Sequence, residues 1–245
     1  MEIRKYQIEC KTGSYSHLNL NRNYSLVQVI YNRDVEEDSI TLDHIYDRGI
    51  KLAQRVNPAA ASNSIHRRER ERLHNDGVSG FLAEYSWFYF LNNLYRDDFV
   101  KFTDFNDATN QIDLLITKNS KRIEVRSSNV RNGVKFGLCN REHQFHIVGP
   151  YSNIVKPGEV GKDFYVMVLY PVLKRNWFSD FFNSKIVRVD LTCGATWEMM
   201  NNDEIYEWSS LESKDQRSQK KSTYRAIPFG RSLDTAEITR LMNED

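Results

Sequence analysis

Gln111–Ser128, QIDLLITKNSKRIEVRSS, is the stretch whose reading decides the fold. Two alternating runs, Gln111–Thr117 and Lys121–Ser127, flank the polar residues Lys118, Asn119 and Ser120, which is the pattern of a β-hairpin. In the first run Ile112, Leu114 and Ile116 share one face, and Gln111, Asp113 and Leu115 the other. In the second, Ile123 and Val125 share a face while Arg122, Glu124 and Arg126 lie opposite. The apolar faces must coincide to bury a core, and this constrains the register. A turn at Lys118-Asn119 pairs Thr117 with Ser120 and sets Asp113 opposite Glu124. A turn at Asn119-Ser120 sets Asp113 opposite Arg126. Either way, Asp113, Glu124 and Arg126 gather on one face.

Working outward, GVSGFLAEYSWFYFLNNLYR (Gly77–Arg96) precedes the hairpin, and Glu84 is its only charged residue before Arg96. Apolar residues fall on nearly every side of a helical projection, so this helix is predicted to be buried on most faces. A carboxylate on such a helix is costly unless something compensates it. The run before it, HRRERERLHND (His66–Asp76), reads as a solvated helix with mixed charges at helical spacing. Strands are predicted at Ser25–Tyr31, Phe99–Thr103, Asp163–Val172 and Lys185–Leu191, besides the two in the hairpin. Residues Asp34–Asp38 form an acidic patch. Gly149-Pro150 and Pro157-Gly158 point to surface loops, and Cys139–His146 is ambiguous with a short helix. Ala195–Trp208 and Thr235–Asn243 read as helical, with a polar basic segment, Lys214–Arg225, between them. The order helix, three strands, irregular crossover, strand implies an α/β (α+β) fold with a mixed sheet rather than a repeated βαβ array.

The chain's 245 residues suit one domain, and 40% hydrophobic content can bury a substantial core. A net charge of +1 neither demands nor excludes a polyanionic partner, so local charge must decide. Cys10, Cys139 and Cys193 are widely spaced with no CxxC, which signals neither a disulfide framework nor a thiolate zinc site. The opening MEIRKYQIEC is too polar for a secretory signal. The most apolar run, Phe164–Leu173, is about half of what a bilayer crossing needs. The expectation is a soluble, cytoplasmic protein with no membrane partner.

Facing carboxylates on paired strands repel one another, and Glu84 can add a third from the neighbouring helix. A divalent cation reverses the sign of that problem, because hard oxygen ligands a few ångströms apart are what Mg²⁺ takes. The competing reading is ordinary ion pairing on an open sheet face, Asp113 with Arg126 or Glu124 with Arg122. Basic residues crowd the hairpin's exit: Lys118, Lys121, Arg122, Arg126, Arg131, Lys135 and Arg141 against Glu124 alone. Lys214, Arg217, Lys220, Lys221 and Arg225 stand against Asp215 in a second basic segment. Two such segments in a near-neutral chain suit phosphate contacts. Asn129, Asn132, Asn140 and Gln144 lie near enough to read base edges.

Asp113, ten intervening residues, then Glu124-Val125-Arg126 resembles the PD-(D/E)xK motif of restriction-endonuclease-like nucleases. Glu84 resembles the helix-borne acid that precedes the motif in that superfamily. The likeness covers Gly77–Val172, which it implies is a nuclease core on a restriction-endonuclease-like sheet. Residues 1–76 and 173–245 are then elaborations for DNA recognition or dimerisation. The resemblance implies a Mg²⁺-dependent endonuclease acting on double-stranded DNA, of type II restriction character, working as a homodimer. It assigns Asp113, Glu124, Glu84 and the Val125 carbonyl to the metal, and Arg126 to a phosphate oxygen. Lys118, Lys121, Arg122, Arg131, Lys135, Arg141, Lys220 and Lys221 become DNA contacts.

Two departures bear on the chemistry. Ile112 stands where the motif has proline, and Arg126 where it usually has lysine. An arginine stays protonated and cannot act as a base, which leaves water activation to the metal with help from Lys121 or the substrate. An inactive relative, binding nucleic acid without cutting it, is the alternative, as is a nuclease acting on RNA or structured DNA. The presence of all three acids favours an enzyme, since a pure binder gains nothing from clustered negative charge. His66, His74 and Asn75 invite an HNH-type reading, but that motif needs a hairpin where the pattern is helical. Cys139, His143 and His146 are too few for a confident zinc set.

Overall fold

The alternating run around Ser25–Tyr31 becomes β2 (Asn21–Asn32), which pairs antiparallel with β1 (Glu2–Lys11). The computed structural model describes residues 1–11, 21–55, 70–103, 113–129, 146–152, 161–211, 222–228 and 231–244. Helix α1 (Glu36–Arg55) follows, then α2 (Arg70–Leu94), β3 (Val100–Phe102), β4 (Leu114–Ile116), β5 (Arg122–Asn129), β6 (His146–Ser152) and β7 (Phe164–Tyr170). The chain continues through β8 (Ile186–Thr196), the short α3 (Trp197–Met200), β9 (Glu207–Leu211), β10 (Ser222–Pro228), β11 (Leu233–Asp234) and α4 (Thr235–Glu244).

The main sheet runs β1-β2-β8-β7-β5-β4-β3, with β11 also paired to β8. Its strands are antiparallel except for β5 and β7, which run parallel. This is the mixed sheet flanked by helices that the element order predicts. The segments outside Gly77–Val172 supply β1, β2 and β8 to the same sheet, so they build the core as well as extend it.

One face packs against α1 and α2 through Val27, Val29, Leu42, Ile45, Leu82, Trp87, Ile116, Ile123 and Val166, among others. The other face buries Tyr24, Leu26, Tyr165, Met167, Leu169, Cys193 and Ala195 with Met200 and Ile227. Ile227 comes from a second, smaller sheet ordered β6-β10-β9. Cys193 is a core thiol, its pKa pushed up to about 12 by burial.

The hairpin adopts the first of its two predicted registers. Leu114 pairs with Ile123 and Leu115 with Arg122, which carries Asp113 opposite Glu124. The connection is a four-residue loop, Thr117–Ser120, rather than a two-residue turn. Ile116 N–H donates to the Lys121 carbonyl at 2.8 Å, and Ser120 N–H donates to the Ile116 carbonyl at 2.9 Å. Ser120 takes a left-handed φ of 60°, which lets the loop close without slipping the apolar faces.

Other expectations need correction. The acidic patch opens α1, with Glu36, Glu37 and Asp38 in its first turn, where carboxylates complement the helix dipole. Arg70–Asp76 of the charged run and the apolar helix are one element, because α2 runs from Arg70 through Gly77 unbroken. Gly149-Pro150 lies inside β6, not in a loop. The pairing of β6 with β10 shifts by one residue opposite Arg225, so the bulge absorbs a proline that has no N–H for the ladder. Ala195–Trp208 is mostly non-helical: β8 runs on to Thr196, and only Trp197–Met200 is helical. Residues 139–145, 157 and 158 lie outside the described residues, and His146 opens β6. His74 and Asn75 sit within α2, and His66 lies outside the described residues.

Gly77 persists mid-helix because α1 and α2 cross backbone to backbone. A Cβ on Gly77 would lie 2.3 Å from the Gly49 carbonyl oxygen, and one on Gly49 would lie 2.4 Å from Val78 Cα. A Cβ on Gly80 would meet nothing within 4 Å. Gly77→Ala should therefore lower stability by about 1–3 kcal/mol through overpacking. Gly80→Ala should raise it by up to about 1 kcal/mol through helix propensity alone. Urea unfolding of both variants checks the crossing, since equal shifts of the same sign would remove it.

Candidate active site

Asp113 and Glu124 are 9% and 7% exposed, and they lie opposite each other across β4 and β5. Alternation predicts their shared face, and both side chains are buried there. Val125 N–H donates to Asp113 Oδ2 at 2.7 Å, so the backbone between Glu124 and Arg126 fixes the facing carboxylate. In an antiparallel ladder a residue's N–H and C=O point to the same neighbour, so the Val125 carbonyl is directed to the Asp113 side too. Arg126 Nη2 lies 2.7 Å from Glu124 Oε1, two residues along the same strand face.

Burial, and then Glu124, push the Asp113 carboxyl well above the usual carboxylate range, against the pull of Val125 N–H, Arg126 and Lys162. Glu84 of α2 is also pushed well above that range, by burial first and then by Asp113 and Glu124. The helix-borne acid is thus electrostatically joined to the hairpin pair. Its opposing cation is Arg48 of α1. Among the described residues, no three Asp, Glu, His or Cys side chains close up into a metal-binding group. The centre is therefore a carboxylate pair with a third acid in electrostatic range. One or two carboxylates, with waters and substrate phosphate, are what Mg²⁺ ordinarily takes, so the donor set fits that ion.

Lys162 is the residue that sequence reasoning missed. It is 3% exposed, just before β7, and its charge acts on Asp113. Its backbone N–H donates to the Tyr165 hydroxyl at 3.0 Å. Next to it, Asp163 Oδ2 accepts the Arg122 N–H at 2.7 Å, and the Asp163 carbonyl accepts Trp197 N–H at 2.9 Å. The segment is pinned from both sides. A lysine directly ahead of an apolar strand was the available signal, but only the β5–β7 pairing brings that strand's start beside Glu124.

The predicted DNA contacts divide. Lys118 Nζ donates to the Asn243 carbonyl of α4 at 2.5 Å. Lys121 Nζ stands 5.7 Å from the centre of the Phe164 ring. Arg122 Nε lies 3.6 Å from Asp163 Oδ2. These three contribute to the hairpin's anchoring. Arg131, Lys135, Arg141, Lys220 and Lys221 lie outside the described residues, as do Asn132, Cys139, Asn140, His143 and Gln144. Asn129 closes β5, on the strand that carries Glu124.

No helix among the described residues is long and apolar enough to cross a membrane. No protein-family model matches the chain, and neither the curated proteins nor the solved structures contain a match.

Proposed function

We propose that the chain is a metal-dependent endonuclease of the PD-(D/E)xK type, acting on double-stranded DNA. The observation that carries this reading is the pair of buried carboxylates, Asp113 and Glu124, set face to face with Glu84 in electrostatic range and basic side chains around them. A sheet built for stability alone avoids such an arrangement. Asp113 and Glu124 would hold Mg²⁺, with the Val125 carbonyl and Glu84 toward the same centre. Bound there, the ion supplies Lewis acidity toward a phosphodiester and a lowered pKa for a water.

The chain's own groups do the rest. Val125 N–H orients Asp113. Arg126, held on Glu124 at 2.7 Å, is placed to transfer to a phosphate oxygen once that carboxylate has another cation. Lys162 supplies a positive charge that acts on Asp113, in the role that the motif usually gives to its lysine. Sequence-specific cutting of the restriction type, a homodimer and a cytoplasmic setting belong to the same proposal.

The test is digestion of unmodified supercoiled plasmid with Mg²⁺ and with EDTA. Cutting should require Mg²⁺. Arg126→Lys should keep it within about tenfold, while Arg126→Ala should lose about 10²-fold or more. The competing reading, a binder without chemistry, is favoured by an arginine where the motif has lysine. Retention of plasmid in a gel shift with no nicking at any Mg²⁺ concentration would establish it instead.

A further inference from the structure

We propose that a cleft floored by Asp190, on the sheet face away from α1 and α2, binds a nucleotide whose base carries an exocyclic amino group. The proposal does not rest on the nuclease reading. The cleft shares a face with Glu124 but lies two strands and four residues along, roughly 16 Å away by strand spacing.

A β-bulge makes the cleft possible. Met167 pairs with Cys193 while Val168 pairs with Leu191, so Thr192 is the extra residue in β8. Beyond it the alternation inverts: Val187, Val189 and Leu191 join the helix-side core, and Arg188 and Asp190 turn to the opposite face. There Asp190 lines up with Gln28 of β2, and Gln28 with Arg4 of β1. The space above them, about 630 Å³, is bounded by Tyr6, Ile8, Pro171 and Arg188.

Asp190 is 2% exposed. Its Oδ1 accepts from the Tyr6 hydroxyl at 3.0 Å and from Gln28 Nε2 at 2.8 Å. Those bonds fix the carboxylate, yet no described residue donates to Oδ2. Open to the cleft, Oδ2 is free to accept a donor from a guest. Burial pushes the Asp190 pKa up to about 6, even against Gln28, Tyr6 and Arg188, so its charge is undercompensated and at neutral pH it is an acceptor.

The guest's other end is set by charge. Arg188 is exposed at the rim and makes no ion pair with any described residue, whereas Arg4 is held by Glu2 at 2.6 and 3.2 Å. Arg188 and Asp190 stand two residues apart on one strand face, about 7 Å between Cα atoms. A ligand that carries an N–H donor and an anion about that far apart engages both groups. An α-amino acid is too short. A nucleotide spans it, with its base between the apolar sides of Tyr6, Ile8 and Pro171 and its phosphate on Arg188.

Calorimetric titration of the full chain at pH 7.5 with CMP, UMP and cytidine tests this. CMP should bind saturably and UMP at least about tenfold more weakly, because uracil sets a carbonyl where cytosine sets an amino group. Asp190→Asn should bring CMP and UMP within threefold of each other while raising the melting temperature. Arg188→Gln, a surface change that leaves the fold alone, should weaken CMP at least about fivefold and leave cytidine unchanged. The proposal is overturned by equal binding of CMP and UMP to the wild type, by CMP binding that ignores both substitutions, or by no binding up to about 10 mM.

Discussion

Asp113→Asn should abolish the proposed Mg²⁺-dependent cutting, by at least about 10³-fold, and raise the stability of the metal-free protein at neutral pH. Both results follow from one feature. Burial and Glu124 push the Asp113 carboxyl well above the usual range, so its ionised form is the unfavourable one in the folded chain. A carboxyl whose folded pKa exceeds its unfolded value contributes stability below the unfolded value, about 3.9, and that contribution is lost as pH rises through the folded value. Asparagine carries no charge to lose and can keep the Val125 N–H bond through its carbonyl oxygen. The gain should thus be absent near pH 4 and reach about 1–3 kcal/mol at pH 8, or about 2–4 °C in Tm per kcal/mol. Adding Mg²⁺ should raise the Tm of the wild type and leave the variant unmoved. A variant that cuts normally, or that melts earlier than wild type at pH 8, would sink the assignment of Asp113.

The hairpin and its acids were legible because alternation is a local signal. Ile112, Leu114, Ile116, Ile123 and Val125 leave only registers in which Asp113 and Glu124 share a face, and the burial of Leu114, Ile116, Ile123 and Val125 bears this out. Glu84 was legible for a similar reason, as the one charge on a helix apolar all round. What stayed hidden depends on pairing between distant segments. Lys162 acquires its role from a parallel β5–β7 ladder that no turn announces. Arg188 and Asp190 face the second core only because Thr192 interrupts the alternation of β8, and a period-2 reading of Lys185–Leu191 has no access to that bulge. Counting cations around the hairpin also overstates its free charge. Lys118 is tied to the end of α4 and Arg122 to Asp163, and neither partner is near in sequence. Gly77 and Pro150 misled in the opposite direction. Each looked like a break, yet a helix crossing and a bulge hold them inside regular elements.

Lys162→Met should cost activity and stability together, and the two losses should part company with pH. Lys162 is buried and draws the Asp113 pKa down, so it is an interior charge that favours the ionised form of Asp113. Methionine fills the same volume without the charge. Above the ordinary carboxylate range this leaves Asp113 and Glu124 opposed by Arg126 alone, and removing one partner of a buried pair is costly. The expected loss is about 1–3 kcal/mol at pH 8, shrinking toward pH 5 as Asp113 takes up a proton. Cutting should fall by about 10²-fold at saturating Mg²⁺, because the fixed positive charge beside the reacting phosphate is gone. The double variant Asp113→Asn/Lys162→Met separates an electrostatic role from a packing role. If Lys162 acts through Asp113, the double variant recovers most of the stability lost at pH 8, giving a coupling of more than about 0.5 kcal/mol. Additive losses, unchanged between pH 5 and pH 8, would make Lys162 a packing residue and return the question of the missing motif lysine to Lys121.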